Sequence, residues 1–115
     1  MIEVRQVRTK KDLKAFIMLP FRLYKHDPNW VPPLISDQKK FFDPSHNGYY
    51  DHSQVELFLA WEGDKIIGRI SAHTNTQHNI EHQDKVGFFG FFECEDNQAA
   101  ADALFAKTLE WNKSK

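Results

Sequence analysis

The sequence predicts a single α+β domain with a mostly antiparallel sheet and elements in the order β-α-α-(loop/helix)-β-β-β-α. Apolar and polar residues alternate in two runs, residues 54–61 and 66–72, and Gly63-Asp64 between them is a pairing that favours tight hairpin turns. Residues 13–24 and 101–109 instead carry apolar residues at helical spacing. Because 115 residues with 41% hydrophobic content suffice for one core and are too few for two, we expect one domain over residues 1–115.

Charge and composition exclude several classes of function. The 15 basic and 16 acidic side chains are spread along the chain and give a net charge of -1, which is no electrostatic footprint for nucleic acid or an anionic membrane. No apolar run approaches the roughly 20 residues of a membrane-spanning helix, and none forms the core of a signal peptide. Cys94 is the only cysteine, which excludes an internal disulfide and fits a reducing compartment. We therefore expect a cytoplasmic protein without nucleic-acid or membrane partners.

The first half of the chain predicts a strand, short helices and a long connection. Residues 2–6 alternate as in a half-buried strand, and Thr9 begins a capping box that opens a helix. Because Pro20 removes a backbone donor, we expect two short helices, with Pro20 in the first turn of the second. Residues 33–42 are a candidate for another short helix. They lie in the connection 26–53, whose many aromatic residues favour a folded segment that faces the substrate.

The second half predicts a loop, a strand and a helix after the hairpin. Residues 74–84 are polar and aperiodic, which indicates a loop at the sheet edge. Residues 86–94 are apolar on both faces, as in a central strand covered on both sides. Asp96 or Asn97 is expected to cap the next helix. The buried face of that helix, flanked by Trp111, is predicted to contain Ala101, Leu104, Phe105, Thr108 and Leu109.

The element order and two segments resemble a known superfamily. The segments are Asp27-Pro28-Asn29-Trp30-Val31-Pro32-Pro33-Leu34 and Gly87-Phe88-Phe89-Gly90-Phe91-Phe92-Glu93-Cys94. Together with the hairpin at residues 57–70, they resemble bacterial GNAT-like proteins of undefined activity, in the acyl-CoA N-acyltransferase superfamily, along nearly the whole chain. Those relatives continue well past the position of Lys115. The resemblance therefore implies that residues 1–115 are the N-terminal half of a GNAT-like fold and lack its C-terminal half.

The resemblance also implies acetyl-CoA or another acyl-CoA as cofactor. In this superfamily the central strand supplies backbone groups to the pantetheine arm, and the next helix N-terminus binds the pyrophosphate. The amides and the dipole at a helix start attract such an anion. By this resemblance the cofactor-binding residues are Phe91, Phe92, Asn97, Gln98, Ala99 and Ala101.

Candidate catalytic and substrate-binding residues follow from the same resemblance. Some acetyltransferases have a carboxylate at the end of the central strand that accepts a proton from the amine, and Glu93 and Glu95 match that position. Glu93 is the better candidate because it is nearer the strand, although acidic residues at a strand end can also be solvated or cap the next helix. The long connection predicts either an acceptor pocket or a hydrophobic cluster under a loop. The residues proposed to line the pocket are Trp30, Tyr49, Tyr50 and His52.

Two other patterns favour ordinary structural roles over a binding site. His73, His78 and His82, together with Asp84, could bring imidazoles together, but zinc sites usually show tighter Cys/His pairs, so no metal site is predicted. The aromatic run 88–92 could stack nucleic-acid bases, but its flanking residues are mostly acidic, so core packing is favoured.

The sequence thus leads to hypotheses of different classes. The first is an N-acyltransferase-like domain that transfers an acyl group from acyl-CoA to a small-molecule or protein amine in the intact protein, with impaired activity in this chain alone. The alternative is a non-catalytic binding or assembly module on the GNAT scaffold. Asp96, where the superfamily's phosphate loop carries a cation, and Ala99, where it carries a glycine, favour the module. The exposed edge of the central strand would then support homo-oligomers. A metal-dependent activity at the histidines is a third hypothesis.

Overall fold

A four-stranded antiparallel sheet and three helices form the fold in the computed structural model, which describes residues 2–43, 45, 47, 53–75 and 87–114. The chain order is β1 (Ile2–Gln6), α1 (Lys10–Leu23), α2 (Ile35–Phe41), β2 (Ser53–Glu62), β3 (Lys65–Asn75), β4 (Gly87–Cys94) and α3 (Gln98–Lys113). The sheet order is β1-β2-β3-β4. The predicted α+β class and antiparallel sheet are confirmed.

The hairpin of β2 and β3 forms the middle of the sheet, as its alternation predicts. Glu62 pairs with Lys65 across the turn, and Gly63 has a φ of 61°, a conformation that glycine adopts at low cost. β3 continues to Asn75, where the sequence predicted a loop from Thr74 onwards. Thr74 belongs to the strand because it pairs with Gln54 of β2 on one side and with Gly87 of β4 on the other.

Two hydrophobic cores lie on opposite faces of the sheet, because successive side chains of a strand point to opposite sides. The core under α3 contains Phe58, Ala60, Ile67, Ile70, Ala72, Ala100 and Leu104. The core under α1 contains Phe16, Ile17, Phe42 and Leu59. The buried row of α3 runs through Ala100, Leu104 and Thr108, so the predicted burial of Leu109 is wrong: this side chain is 60% exposed.

Helix α1 passes through Pro20 without ending, which corrects the predicted pair of short helices. A proline inside a helix leaves the carbonyl four residues earlier without its donor, and here that carbonyl belongs to Phe16. Arg69 of β3 donates from Nη1 to the Phe16 carbonyl oxygen at 2.7 Å, and its guanidinium lies 4.8 Å from the centre of the Phe16 ring. Because a tertiary donor replaces the missing amide, the helix continues to Leu23.

Strand β4 lies at the edge of the sheet that the described strands form. The pairing with β3 shifts opposite Ile70, where β4 has the two residues Phe91 and Phe92, so the strand bulges. Phe91 has a φ of 53°, in the left-handed region that bulky residues rarely adopt. The prediction that both faces of this strand are covered is wrong. Its aromatic side chains are partly exposed: Phe88 by 44%, Phe89 by 59% and Phe92 by 36%. Among the described helices, none has the length and apolar character needed to cross a membrane.

Candidate functional site

A carboxylate and a phenol meet where β4 ends beside the end of α1. The hydroxyl of Tyr24 donates a hydrogen bond to Oε2 of Glu93, across 69 positions of sequence. This bond to the carboxylate raises the pKa of Tyr24, and burial adds to the effect. The phenol therefore stays protonated at neutral pH, and Glu93 is the acceptor of the pair. Both side chains are half-buried.

Trp30 packs beside Tyr24 because a tight turn leads the chain back after α1. Oδ1 of Asp27 accepts a hydrogen bond from the amide of Asn29 at 2.9 Å, and the Asp27 carbonyl accepts one from the amide of Trp30 at 3.3 Å. The Trp30 ring centre then lies 5.7 Å from that of Tyr24. The structure thus joins a predicted pocket residue to the predicted base Glu93 through Tyr24, which the sequence pattern indicated only as a residue of a helix face.

Arg69 is the buried cation of the site. It is 6% exposed and lies opposite Glu93 in the register of β3 and β4. Burial lowers the pKa of Arg69 to about 10, against the opposing effect of the Glu93 charge, so the guanidinium remains charged at neutral pH. Its Nε donates to the Phe91 carbonyl at 3.0 Å, which fixes the bulge next to α1. An arginine inside an apolar strand is the sequence signal that could have indicated it.

The aromatic residues at the bulge, Phe91 and Phe92, point to different faces of the sheet. The Phe91 ring packs against Phe41 and Phe42, with ring centres 5.3 Å and 5.0 Å away. The Phe92 ring packs on the other face against Phe105, at 4.7 Å. Because both side chains serve the packing of helices, a ligand at the edge of β4 would meet these two residues mainly through their backbone groups.

Glu95, the second candidate base, is held in an ion pair away from Tyr24. Its Oε2 lies 2.8 Å from Nη1 of Arg22 and 3.3 Å from Nζ of Lys65. Burial alone would raise the pKa of Glu95, but the two cations outweigh it and lower the pKa. Because Arg22 and Lys65 both hold this carboxylate, Glu95 is better suited to tie α1 and the hairpin to the end of β4.

The first turn of α3 contains the residues predicted to bind pyrophosphate. Oδ1 of Asn97 accepts a hydrogen bond from the amide of Ala100 at 3.1 Å, so of the two predicted caps, Asp96 and Asn97, the cap is Asn97. The Asn97 carbonyl accepts the amide of Ala101 at 3.1 Å. The side chain of Gln98 donates to Asp102 at 2.8 Å. Within the described helix, the amides of Gln98 and Ala99 remain as donors for an anion.

Ser71 and His73 form a buried pair on β3 that the sequence did not indicate. Oγ of Ser71 lies 2.6 Å from Nε2 of His73, and burial lowers the pKa of His73. A Cβ at Gly90 of β4 would lie 3.4 Å from Ser71 Oγ and 3.5 Å from His73 Nε2, so glycine leaves room beside the pair.

Several residues that the sequence singled out lie outside the described residues. They are Tyr49, Tyr50 and His52 of the predicted pocket, and His78, His82 and Asp84 of the rejected metal site. Among the described residues, no group of three or more His, Cys, Asp or Glu side chains lies close enough together to hold a metal ion.

Fold and site together define an α+β chain with a carboxylate held at the bulged end of a sheet-edge strand. The chain is similar to a bacterial ceramide synthase of Caulobacter vibrioides, with 36% identity over 115 residues that cover 99% of this chain and 30% of that protein. It is also similar to protein YghO of Escherichia coli, with 36% identity over 111 residues that cover 96% of this chain and 28% of that protein. The chain thus spans less than a third of the curated relatives it matches. No protein-family model and no solved structure matches it.

Proposed function

We propose that this chain is part of an N-acyltransferase with a GNAT-like fold that transfers an acyl group from acyl-CoA to an amine. The observation that carries the proposal is the half-buried carboxylate of Glu93, which Tyr24 holds beside the bulge of β4. Glu93 accepts a proton from the amine as the amine nitrogen attacks the thioester carbonyl. The carbon–nitrogen bond forms and the carbon–sulfur bond breaks. The thiolate that leaves takes up a proton, which balances the one accepted by Glu93.

The relatives support this class of reaction. One of them is named for the synthesis of ceramide, an N-acylated amino alcohol, and it is 36% identical over 99% of the present chain. Formation of an amide from an acyl donor and an amine is the chemistry we assign to Glu93. Because the chain spans 30% of that relative, we propose the reaction for the intact protein and the role of Glu93 within it.

The residues of β4 and α3 fit an acyl-CoA unequally. The outer edge of β4 pairs with no other described strand, so its backbone groups at Phe91 and Phe92, apart from the Phe91 carbonyl that accepts from Arg69, can bond an extended chain such as pantetheine. At α3 the Asn97 side chain takes the Ala100 amide, and the exposed Asp96 adds a negative charge, which disfavours a diphosphate. We therefore assign the acyl-bearing arm to β4, with a minor role for the α3 amides.

A second function, the non-catalytic assembly module, is favoured by the exposed aromatic surface of β4. Phe88 and Phe89 are 44% and 59% exposed, and an open strand edge can add a strand of a second copy. Light scattering of the full-length protein and of its Phe89→Glu variant tests this alternative. An oligomer that dissociates in the variant, in a protein without acyl transfer, supports the module, and a monomer at all concentrations rules it out.

Thiol release from acyl-CoA in the presence of amines tests the proposed function. The full-length protein is assayed with acyl-CoAs of increasing chain length and with a long-chain amino alcohol as acceptor. We expect amine-dependent release of thiol and a decrease of kcat by about 10²–10⁴-fold in Glu93→Gln. Glu110→Gln, which removes an exposed carboxylate on α3, is the matched control and keeps full activity. Equal kcat values for wild type and Glu93→Gln would exclude Glu93 as the base.

A further inference from the structure

A cleft of about 530 Å³ opens between α1 and the end of α2, and Glu93 is not among the residues that line it. This volume lies within the range of small-molecule sites, about 300–1,000 Å³. The acyl-transfer mechanism proposed above uses none of the side chains of the cleft. The cleft is therefore a candidate for a second binding site.

The floor of the cleft is apolar and firmly packed. Leu13 and Ile17 lie one turn apart on α1, and Phe42 follows α2. Ile17 is 2% exposed and Phe42 is 6% exposed, and the Phe42 ring packs edge-on against Phe16 with ring centres 5.4 Å apart. Because Ile17 and Phe42 belong to the core under α1 and are already almost fully buried, an alkyl chain in the cleft would bury mainly the remaining surface of the half-buried Leu13 and the alkyl stems of the lysines.

The rim of the cleft is positively charged. Lys10, Lys14 and Lys39 surround the floor, and within the described part of the chain no acidic side chain pairs with any of them. Asp43 also lines the cleft, but its Oδ1 accepts hydrogen bonds from the amide and the hydroxyl of Ser45, at 3.0 Å and 2.7 Å. Lysines of this kind lay their alkyl stems along apolar surface and keep their ammonium groups in water. The rim thus carries three cations and one anion, a net charge of +2, above an apolar floor.

We propose that this cleft binds a single-chain anionic amphiphile, with the alkyl chain on the floor and a phosphate, sulfate or carboxylate among the three lysines. The charge of the rim attracts an anionic headgroup and repels a long-chain amine. The cleft is therefore a site separate from that of the amine acceptor. This inference rests on the cleft alone and stands whether or not Glu93 acts as a base.

Calorimetric titration of the full-length protein with dodecyl phosphate, below the concentration at which micelles form, tests the proposal. We expect saturable binding of one molecule per chain. Dodecyl maltoside, which is neutral, and dodecyltrimethylammonium, which is cationic, should bind at least about tenfold more weakly, because they lack the charge-assisted contacts. Equal affinities for the three amphiphiles, or no binding of dodecyl phosphate, would overturn the proposal.

Substitutions in the cleft test whether dodecyl phosphate binds there. The double variant Lys14→Glu/Lys39→Glu reverses the rim charge and should weaken dodecyl phosphate binding at least about tenfold. Lys113→Glu makes one charge reversal of the same kind at an exposed position of α3 and should leave the affinity unchanged. Leu13→Trp fills the cleft but keeps the lysines, so it should also abolish binding, with thermal melting to confirm folding. Unchanged affinity in both cleft variants contradicts the proposal. Binding to phosphatidylglycerol vesicles without binding of monomeric dodecyl phosphate does so too, because it indicates adsorption to a surface.

Discussion

Arg69 is a single buried side chain that supports three parts of the molecule. It donates to the Phe16 carbonyl in α1 and to the Phe91 carbonyl at the bulge of β4, and it lies opposite Glu93. Each of these groups is partly or fully removed from water, where an acceptor without a donor costs about 1–3 kcal/mol. Helix α1 therefore tolerates Pro20 because of Arg69, which lies 49 positions further along the sequence.

We predict that Arg69→Met lowers the free energy of unfolding by roughly 3 kcal/mol, because two carbonyls lose their donor at about 1–3 kcal/mol each. Pro20→Ala returns an amide to the Phe16 carbonyl, so Arg69→Met should cost less in the Pro20→Ala background, with a coupling of about 1 kcal/mol. Urea denaturation of the four proteins of this cycle gives the coupling. Strictly additive effects of the two substitutions would show that the arginine does not replace the missing amide.

We predict that His73 makes the folding stability decrease as the pH falls. Burial lowers the pKa of His73 in the folded protein, whereas the unfolded chain keeps a value of about 6.5. The unfolded state therefore binds the proton more readily, and stability falls as the pH decreases below about 6.5. His73→Gln, which stays neutral, should flatten this part of the dependence in urea denaturation between about pH 7.5 and 5. His26→Gln, at an exposed position, is the matched control. If the free energy of unfolding had the same slope against pH in His73→Gln as in the wild type, the prediction would be contradicted.

Features of the helices and strands that depend on neighbouring residues could be predicted from the sequence. The hairpin of β2 and β3 was predictable because its alternation and its Gly63-Asp64 turn are contained within one segment. Thr9 and Asn97 were predictable as caps for the same reason, since each bonds an amide three residues ahead. The passage of α1 through Pro20 was not predictable, because its cause is a donor on another element.

The same division holds for the candidate site. Glu93 and Trp30 could be proposed from the segments that resemble GNAT-like proteins. Tyr24 could not, and Arg69 stood out only as an arginine inside an apolar strand, because the roles of both depend on the packing of α1 against β3 and β4. The Ser71–His73 pair has spacing two, like any same-face pair of a strand, and becomes distinctive only when the strand is buried.

At the level of the elements, Gly68 sets how closely α3 approaches β3. A Cβ at this position would lie 2.9 Å from Cδ1 of Leu104 and 3.0 Å from Sγ of Cys94. Since Leu104 is fully buried, Gly68→Ala must displace core side chains and should cost about 1–3 kcal/mol in thermal or urea unfolding. Gly90→Ala is the matched control, because its Cβ would make contacts of 3.4 Å and 3.5 Å. Equal losses of stability in the two variants would contradict a close approach of α3 at Gly68.

In the molecule as a whole, the candidate site and the cleft lie on one face of the sheet, and α3 lies on the other. The candidate base, the buried cation and the lysine-rimmed cleft are associated with α1 and α2, whereas α3 packs on the opposite face. The two cores share the same strands but have no buried residue in common. We infer that each face can loosen while the other stays packed, since proteins open in partly independent units.

Hydrogen exchange followed by mass spectrometry tests this division with one large-to-small change in each core. Phe42→Ala, at a cost of about 3–5 kcal/mol, should accelerate exchange in α2 and in the part of α1 around Phe16, which pack around the lost ring. Leu104→Ala, at about 2–5 kcal/mol, should accelerate it in α3. The central strands β2 and β3 take part in both cores, so their protection should fall only with the global stability. If either substitution accelerated exchange equally on both faces, the two cores would act as one cooperative unit, and a ligand bound under α1 would also stabilise α3.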